Sequence, residues 1–246
     1  MNKFKRIRPG PVILLLIMAV SASILICGRD TLPQVIEDVS DMIYYHGLSR
    51  QVTERMEEDM RVLPSEIMLN ENIAAWLVID GTRINYPVMQ ERHGDEGYYL
   101  KRRPDGKYSK SGSLYIPSYD SVDSDQIIIY GHHMHNGTMF ASLKKYKDFD
   151  WASDHRVVKL TTRNGTSVYE VFAVLVQNVR IRSFKWENYI DLGRYQDKLS
   201  FVAQCRRNAV VDLCDGNLQA DTEYLTLRTC DYSVPDGRLL VVCRKV

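Results

Sequence analysis

A mainly β fold, closed into a mixed or antiparallel barrel behind a helical leader, is what this sequence predicts. Three observations carry that reading. From residue 75 onward, about eight short runs are either continuously apolar or alternate apolar with polar, and turn signals separate them. Most follow one another with no helical pattern between them, which argues against a regular alternation of strand and helix. Apolar residues recur at helical spacing chiefly over residues 31–63 and 188–208.

Composition sets the outer bounds. The chain has 246 residues, 45% hydrophobic and 26% charged, which excludes disordered, collagenous and low-complexity classes. Lys+Arg 32 against Asp+Glu 31 gives a net charge of +1, so no nucleic-acid partner is expected. Five cysteines are too few for a disulfide scaffold.

The expected organisation is a basic tail and anchor over residues 1–29, a helical leader over 30–64 and a catalytic domain over 65–246. Lys3, Lys5, Arg6 and Arg8 precede an uncharged run over 11–27. That run spans roughly 25 Å as a helix, at the short end for a membrane span. Positive charge before it predicts a single-pass cell-membrane protein, cytoplasmic at its N-terminus with the catalytic domain outside, contacting lipid through the anchor. A cleaved signal peptide (small residues at Val20-Ser21-Ala22) and a lipoprotein at Cys27 are the alternatives.

In the leader, Thr31 is a candidate N-cap with Pro33 in the first turn. Val35, Ile36, Val39, Met42 and Ile43 follow at helical spacing, Gly47 is a candidate break, and residues 51–62 are a candidate second helix. Trp76-Leu77-Val78-Ile79 then begins the strands, and Asp80-Gly81 turns the chain into a partner strand over 83–89. Residues 112–116 and 126–130 are further strands. Residues 157–162 and 167–176 flank Asn164-Gly165, a hairpin signal, and 223–227 and 238–246 close the chain. The one helix expected among them, 188–208, carries Leu192, Tyr195, Leu199, Val202 and Cys205 on one face.

Two residues stand out chemically. Cys230 ends the alternating run Leu225-Thr226-Leu227-Arg228-Thr229-Cys230, and a strand end can hold a reactive thiol at a surface. A thiol of ordinary pKa about 8.5 needs help to ionise. Arg238 opens the next strand after the turn Pro235-Asp236-Gly237, where a hairpin would set it beside Cys230. His132 follows the apolar strand in Tyr130-Gly131-His132-His133-Met134-His135, the partner expected for acyl transfer. The alternatives are a buried inert cysteine and structural histidines. A metal site has little support: His132, His133 and His135 lack the i, i+4 pairing with an intervening Glu, and no Cys-x-x-Cys occurs. Cys205 and Cys214 are either a pair or two free thiols, and Cys243 lies inside the last strand.

Three segments together resemble the sortases, and within them class B. They are Trp76-Leu77-Val78-Ile79-Asp80-Gly81-Thr82-Arg83-Ile84-Asn85-Tyr86-Pro87-Val88-Met89-Gln90, then Ile128-Ile129-Tyr130-Gly131-His132-His133-Met134 with Gly137-Thr138-Met139-Phe140, then Thr226-Leu227-Arg228-Thr229-Cys230 with Arg238. The resemblance covers most of residues 65–246. The helix at 188–208, before the strand bearing Cys230, is similar to the one that distinguishes class B. The resemblance implies an eight-stranded β-barrel and a cysteine transpeptidase that needs no cofactor. Such an enzyme cuts a C-terminal sorting motif of a secreted protein after its Thr, then joins the Thr carbonyl to an amine of peptidoglycan precursor or a pilin. It implies Cys230 as nucleophile, His132 as general acid and base, and Arg238 as oxyanion or substrate donor. Asn85, Met89 and Tyr130 fall at groove-lining positions. Arg228 departs from the Ser that some class B members carry in Thr-Leu-x-Thr-Cys. It adds a cation on the same strand face as Cys230 and is a candidate reader of substrate. A water-using endopeptidase and a non-enzymatic anchored binding domain are the rival functions.

Overall fold

The computed structural model describes residues 32–58, 70–92, 94–95, 97–180, 192, 195–214, 216 and 222–246. By its internal contacts the chain divides into two units, 1–47 and 48–246. Helix α1 (Leu32–Glu58) runs unbroken through Gly47. A single glycine costs a helix only about 1 kcal/mol relative to alanine, too little to end it here.

The expected single-pass membrane location needs correction. Among the described residues no helix is long and apolar enough to cross a membrane. Helix α1 itself carries Glu37, Asp38, Asp41, Arg50 and Glu54. The run over 11–27 that suggested an anchor lies outside the described residues.

The strands are β1 (Ile73–Val78), β2 (Asn85–Gln90), β3 (Leu114–Ile116), β4 (Gln126–Tyr130), β5 (Val157–Thr162), β6 (Gly165–Asn178), β7 (Ala209–Asp212), β8 (Tyr224–Asp231) and β9 (Gly237–Lys245). Their order is β5-β1-β2-β3-β4-β8-β9-β6-β7, and β5 also pairs with β6. That extra pairing closes eight strands into a barrel and leaves β7 as an outer strand on β6. The pairs β2–β3 and β4–β8 are parallel, and the other ladders are antiparallel. In the β5–β6 hairpin the two loop residues are Arg163 and Asn164, with Gly165 already paired to Thr162.

Most strands are buried on both faces, so consecutive residues are sealed in β1, β4, β6 and β9. Trp76, Leu77, Ile128, Phe172, Leu225, Leu227 and Val241 are sealed inside, each such side chain contributing about 1.5–3 kcal/mol. Helix α3 (Tyr195–Asn208) covers one side of the barrel, setting Phe201, Val202 and Cys205 against Phe172, Tyr224 and Leu240. It begins later than the expected 188, and most of 188–194 lies outside the described residues. It leads into β7 before the chain reaches β8. Two elements without sequence periodicity join β4 to β5: a 3-10 stretch over Phe140–Lys147 and the short helix α2 (Phe149–Asp154), capped by Asp148 accepting from the Trp151 N–H.

Within unit 48–246, Trp76 Nε1 donates to Asn85 Oδ1 at 2.6 Å, Asn85 Nδ2 donates to Thr53 Oγ1 at 3.3 Å, and Ser49 Oγ donates to the Asn85 carbonyl at 2.7 Å. These bonds hold the last turns of α1 on β1 and β2.

Candidate active site

The alternation of β8 decides which side chains reach the surface. Thr229 and Asp231 turn inward and are 3% exposed, while Arg228 and Cys230 share the opposite, half-buried face. Cys230 pairs directly with Arg238 across the β8–β9 ladder. On its other side β8 runs parallel to β4, with Arg228 opposite Tyr130. The ladder ends there, and the histidine segment that follows β4 stays beside β8, with His133 bonded to the Cys230 carbonyl. Neighbouring strands lie about 4.8 Å apart, so the histidine segment after β4, Cys230 on β8 and Arg238 on β9 form one row of adjacent chain segments.

Backbone contacts fix the row. Gly131 N–H donates to the Arg228 carbonyl at 3.2 Å, and Thr229 Oγ1 donates to the Gly131 carbonyl at 2.8 Å. A Cβ at Gly131 would stand 2.4 Å from Leu114 Cδ2 and 2.7 Å from Phe140 Cδ2, so glycine is what lets the chain pass here. At the β8–β9 turn, a Cβ on Gly237 would stand 2.3 Å from the Asp231 carbonyl oxygen. The tight turn therefore depends on glycine immediately before Arg238.

The two adjacent histidines have different partners. His132 Nε2 lies 2.9 Å from the Leu100 carbonyl. A carbonyl only accepts, so Nε2 carries a hydrogen and Nδ1 is left for proton exchange. His133 Nδ1 donates to the Cys230 carbonyl at 3.0 Å and so ties the histidine loop to the nucleophile strand. Tyr232 OH donates to the His133 carbonyl at 3.2 Å, and its ring stacks on His135 with centroids 5.5 Å apart. The Tyr232 phenol is raised above its usual value first by burial and then by charge on Cys230, with Arg238 pulling the other way. Its hydroxyl thus feels both residues of the cross-strand pair.

Asp231 anchors the turn from the buried side. Its Oδ2 accepts from Lys147 Nζ at 2.8 Å, and its Oδ1 accepts from the Ser233 N–H at 2.7 Å and from the Ser233 hydroxyl. Burial alone would raise this carboxyl, but the bonds from Lys147 and Ser233 outweigh it and hold it below the usual carboxylate value. Arg238 Nη1 donates to the Gly237 carbonyl at 2.9 Å.

On the other flank, Arg228 Nη1 donates to Tyr130 OH at 2.9 Å, and its guanidinium carbon lies 5.1 Å from the Tyr130 ring centroid. Tyr130 OH also shares a 2.8 Å bond with Tyr119 OH, and its ring stacks on Tyr115 at 5.4 Å. Tyr130 and Arg228 therefore stand beside the Cys230 row as a single unit. Met89 does not reach this surface: it is 0% exposed, packed with Ile73, Tyr99 and Tyr115, and supports Tyr130 from behind. Asn85 hydrogen-bonds to Trp76, Thr53 and Ser49. The Leu100 carbonyl, Tyr119 and Tyr232 went unseen in the sequence. A backbone acceptor leaves no signature, and tyrosines that reach Tyr130 and the histidine loop only through space have no spacing to read.

Cys205 and Cys243 are free, buried thiols, both pushed up by desolvation; Cys214 is free and half-buried. Among the described residues no group of three or more His, Cys, Asp or Glu is arranged to hold a metal ion.

A closed barrel with a half-exposed cysteine between a histidine segment and an arginine is the frame of a cysteine transpeptidase. The Sortase domain model matches residues 77–246, and the chain belongs to the sortase family, in class B. It is 25% identical over 231 residues to sortase B of Staphylococcus aureus, covering 90% of this chain and 91% of that one. It is 26% identical over 200 residues to sortase B of Listeria monocytogenes, covering 80% and 77%. A solved Staphylococcus aureus sortase B–substrate complex superposes with a TM-score of 0.75 at 22% identity, over 86% of this chain and 98% of that one.

Proposed function

We propose that this enzyme cleaves a C-terminal sorting motif of secreted proteins after its Thr and transfers the Thr acyl group to an amine of peptidoglycan precursor or a pilin. In this reading Cys230 is the nucleophile, His132 the general acid and base, and Arg238 the donor to the oxyanion. What supports it is the direct pairing of Cys230 with Arg238 across β8 and β9, with the histidine segment after β4 alongside on the other flank of β8.

The chemistry follows from the row. The Cys230 sulfur, as thiolate, attacks the Thr carbonyl carbon, and negative charge moves to the carbonyl oxygen. Arg238, with its rigid fork of N–H donors one strand away, is placed to stabilise that charge. The tetrahedral species collapses as the C–N bond breaks, and His132 Nδ1 delivers its proton to the leaving amine. The product is a thioester on Cys230. The neutral Nδ1 then takes a proton from the incoming amine, which attacks the thioester carbon. A new amide forms and the Cys230 thiolate is released. The Leu100 carbonyl, by holding Nε2–H, keeps Nδ1 as the exchanging nitrogen. Tyr130 and Arg228 form the wall that contacts the motif on the β4 side.

Incubating the protein with a library of candidate sorting peptides, with and without an added amine, tests this by mass spectrometry. The expected result is an acyl adduct on Cys230, an amine-linked product, and loss of both in Cys230→Ala. Turnover retained by that variant would overturn the assignment. Cleavage that never yields the amine-linked product would assign water as acceptor instead.

A further inference from the structure

A cleft of about 560 Å³ opens next to the histidine loop, and Cys230, His132 and Arg238 do not line it. Arg83, His133, His135, Lys144 and Lys145 do, and no carboxylate does. These groups come from three separate segments: the β1–β2 turn, the loop after β4 and the 3-10 stretch before α2. Asp80 and Asp231 are engaged elsewhere, by Lys159 at 2.8 Å and by Lys147 at 2.8 Å. Arg83, Lys144 and Lys145 have no carboxylate partner among the described residues. Arg83 is held only by a 3.4 Å bond to the Asn136 carbonyl, and Lys145 lies 5.4 Å from the Trp151 ring centroid. Asn136, between the lining residues His135 and Gly137, keeps its Nδ2 donor buried without an acceptor.

Three permanent cations gathered around one concavity repel each other, and among the described residues no carboxylate pairs with them. A multiply charged oxyanion would. Arginine offers a planar fork that matches phosphate oxygens, and lysines offer mobile point charges. A single carboxylate would offset only one of the three. We propose that this cleft is a binding site for a phosphate-class oxyanion, free or carried as a substituent on a larger ligand. The site does not depend on the assignment of Cys230, because it shares none of the reacting groups.

The test is calorimetric titration of the full chain with inorganic pyrophosphate at fixed ionic strength, repeated with O-phosphoethanolamine and in the Cys230→Ala background. One saturable site is expected, equally present in Cys230→Ala. Arg83→Gln combined with Lys144→Gln should weaken it at least tenfold with an unchanged melting temperature, and exposed Lys107→Gln should leave it unaltered. Comparable binding of O-phosphoethanolamine would identify a phosphate substituent as the ligand, and binding of pyrophosphate alone a free diphosphate. No saturation with either probe, or equal weakening by Lys107→Gln, would overturn the proposal.

Discussion

Cys230 and Arg238 face each other as direct partners in the β8–β9 ladder, joined by a turn that closes only because Gly237 has no side chain. The spacing between the two residues' backbones is thus set by β-sheet geometry. Arg238→Lys keeps the charge but replaces a planar fork with an ammonium that cannot present two parallel donors. We expect kcat/KM for transpeptidation to fall by about 10²–10³-fold, the usual effect of removing one oxyanion donor, with no change in melting temperature. Full activity in the Lys variant would remove Arg238 from the reaction.

Arg228 and Tyr130 act as one unit, so their variants should behave alike. Arg228→Ser and Tyr130→Phe each break the 2.9 Å bond between them. Each should shift the ranking of sorting peptides in a competition assay while leaving the fold intact. Unchanged ranking in both would mean that this flank does not contact the motif.

Asp231 links stability to acid pH. Its folded-state pKa lies below the ordinary value, so its contribution is present above about pH 4 and is lost as pH falls through the depressed folded value. Asp231→Asn leaves Lys147 without its carboxylate and should cost about 1–2 kcal/mol at neutral pH. Thermal melts across pH 2–7 (a range chosen to span about two units either side of ordinary carboxylate titration) should show wild type converging on the variant at the acid end.

Thiol accessibility divides the four described cysteines. Cys230 and Cys214 are half-buried, while Cys205 and Cys243 are 0% exposed and desolvation disfavours their thiolates. Alkylation of the native protein with iodoacetamide, followed by peptide mapping, should label Cys230 and Cys214 and spare Cys205 and Cys243. Early labelling of Cys243 would contradict the barrel packing.

Gly131→Ala tests how the histidine loop is delivered. Its new Cβ would stand 2.4 Å from Leu114 Cδ2, forcing side chains or backbone to move at a cost of about 1–3 kcal/mol. Because the movement falls next to His132, activity should drop more steeply than stability. An Ala variant with wild-type turnover would show that the register between β4 and β8 tolerates displacement.

Much of this protein is local in its sequence. Alternation over 224–231 places Arg228 and Cys230 on one face without any knowledge of the fold. The run over 126–130 and the hairpin signal at Asn164-Gly165 delimit strands that the structure contains. Other features have no local cause. The parallel β4–β8 pairing joins segments about a hundred residues apart, and no short-range pattern announces it. That pairing is what brings the histidine segment after β4 alongside the strand that carries Cys230. Side-chain periodicity is written residue by residue, whereas register between distant strands is decided by what the whole barrel can bury.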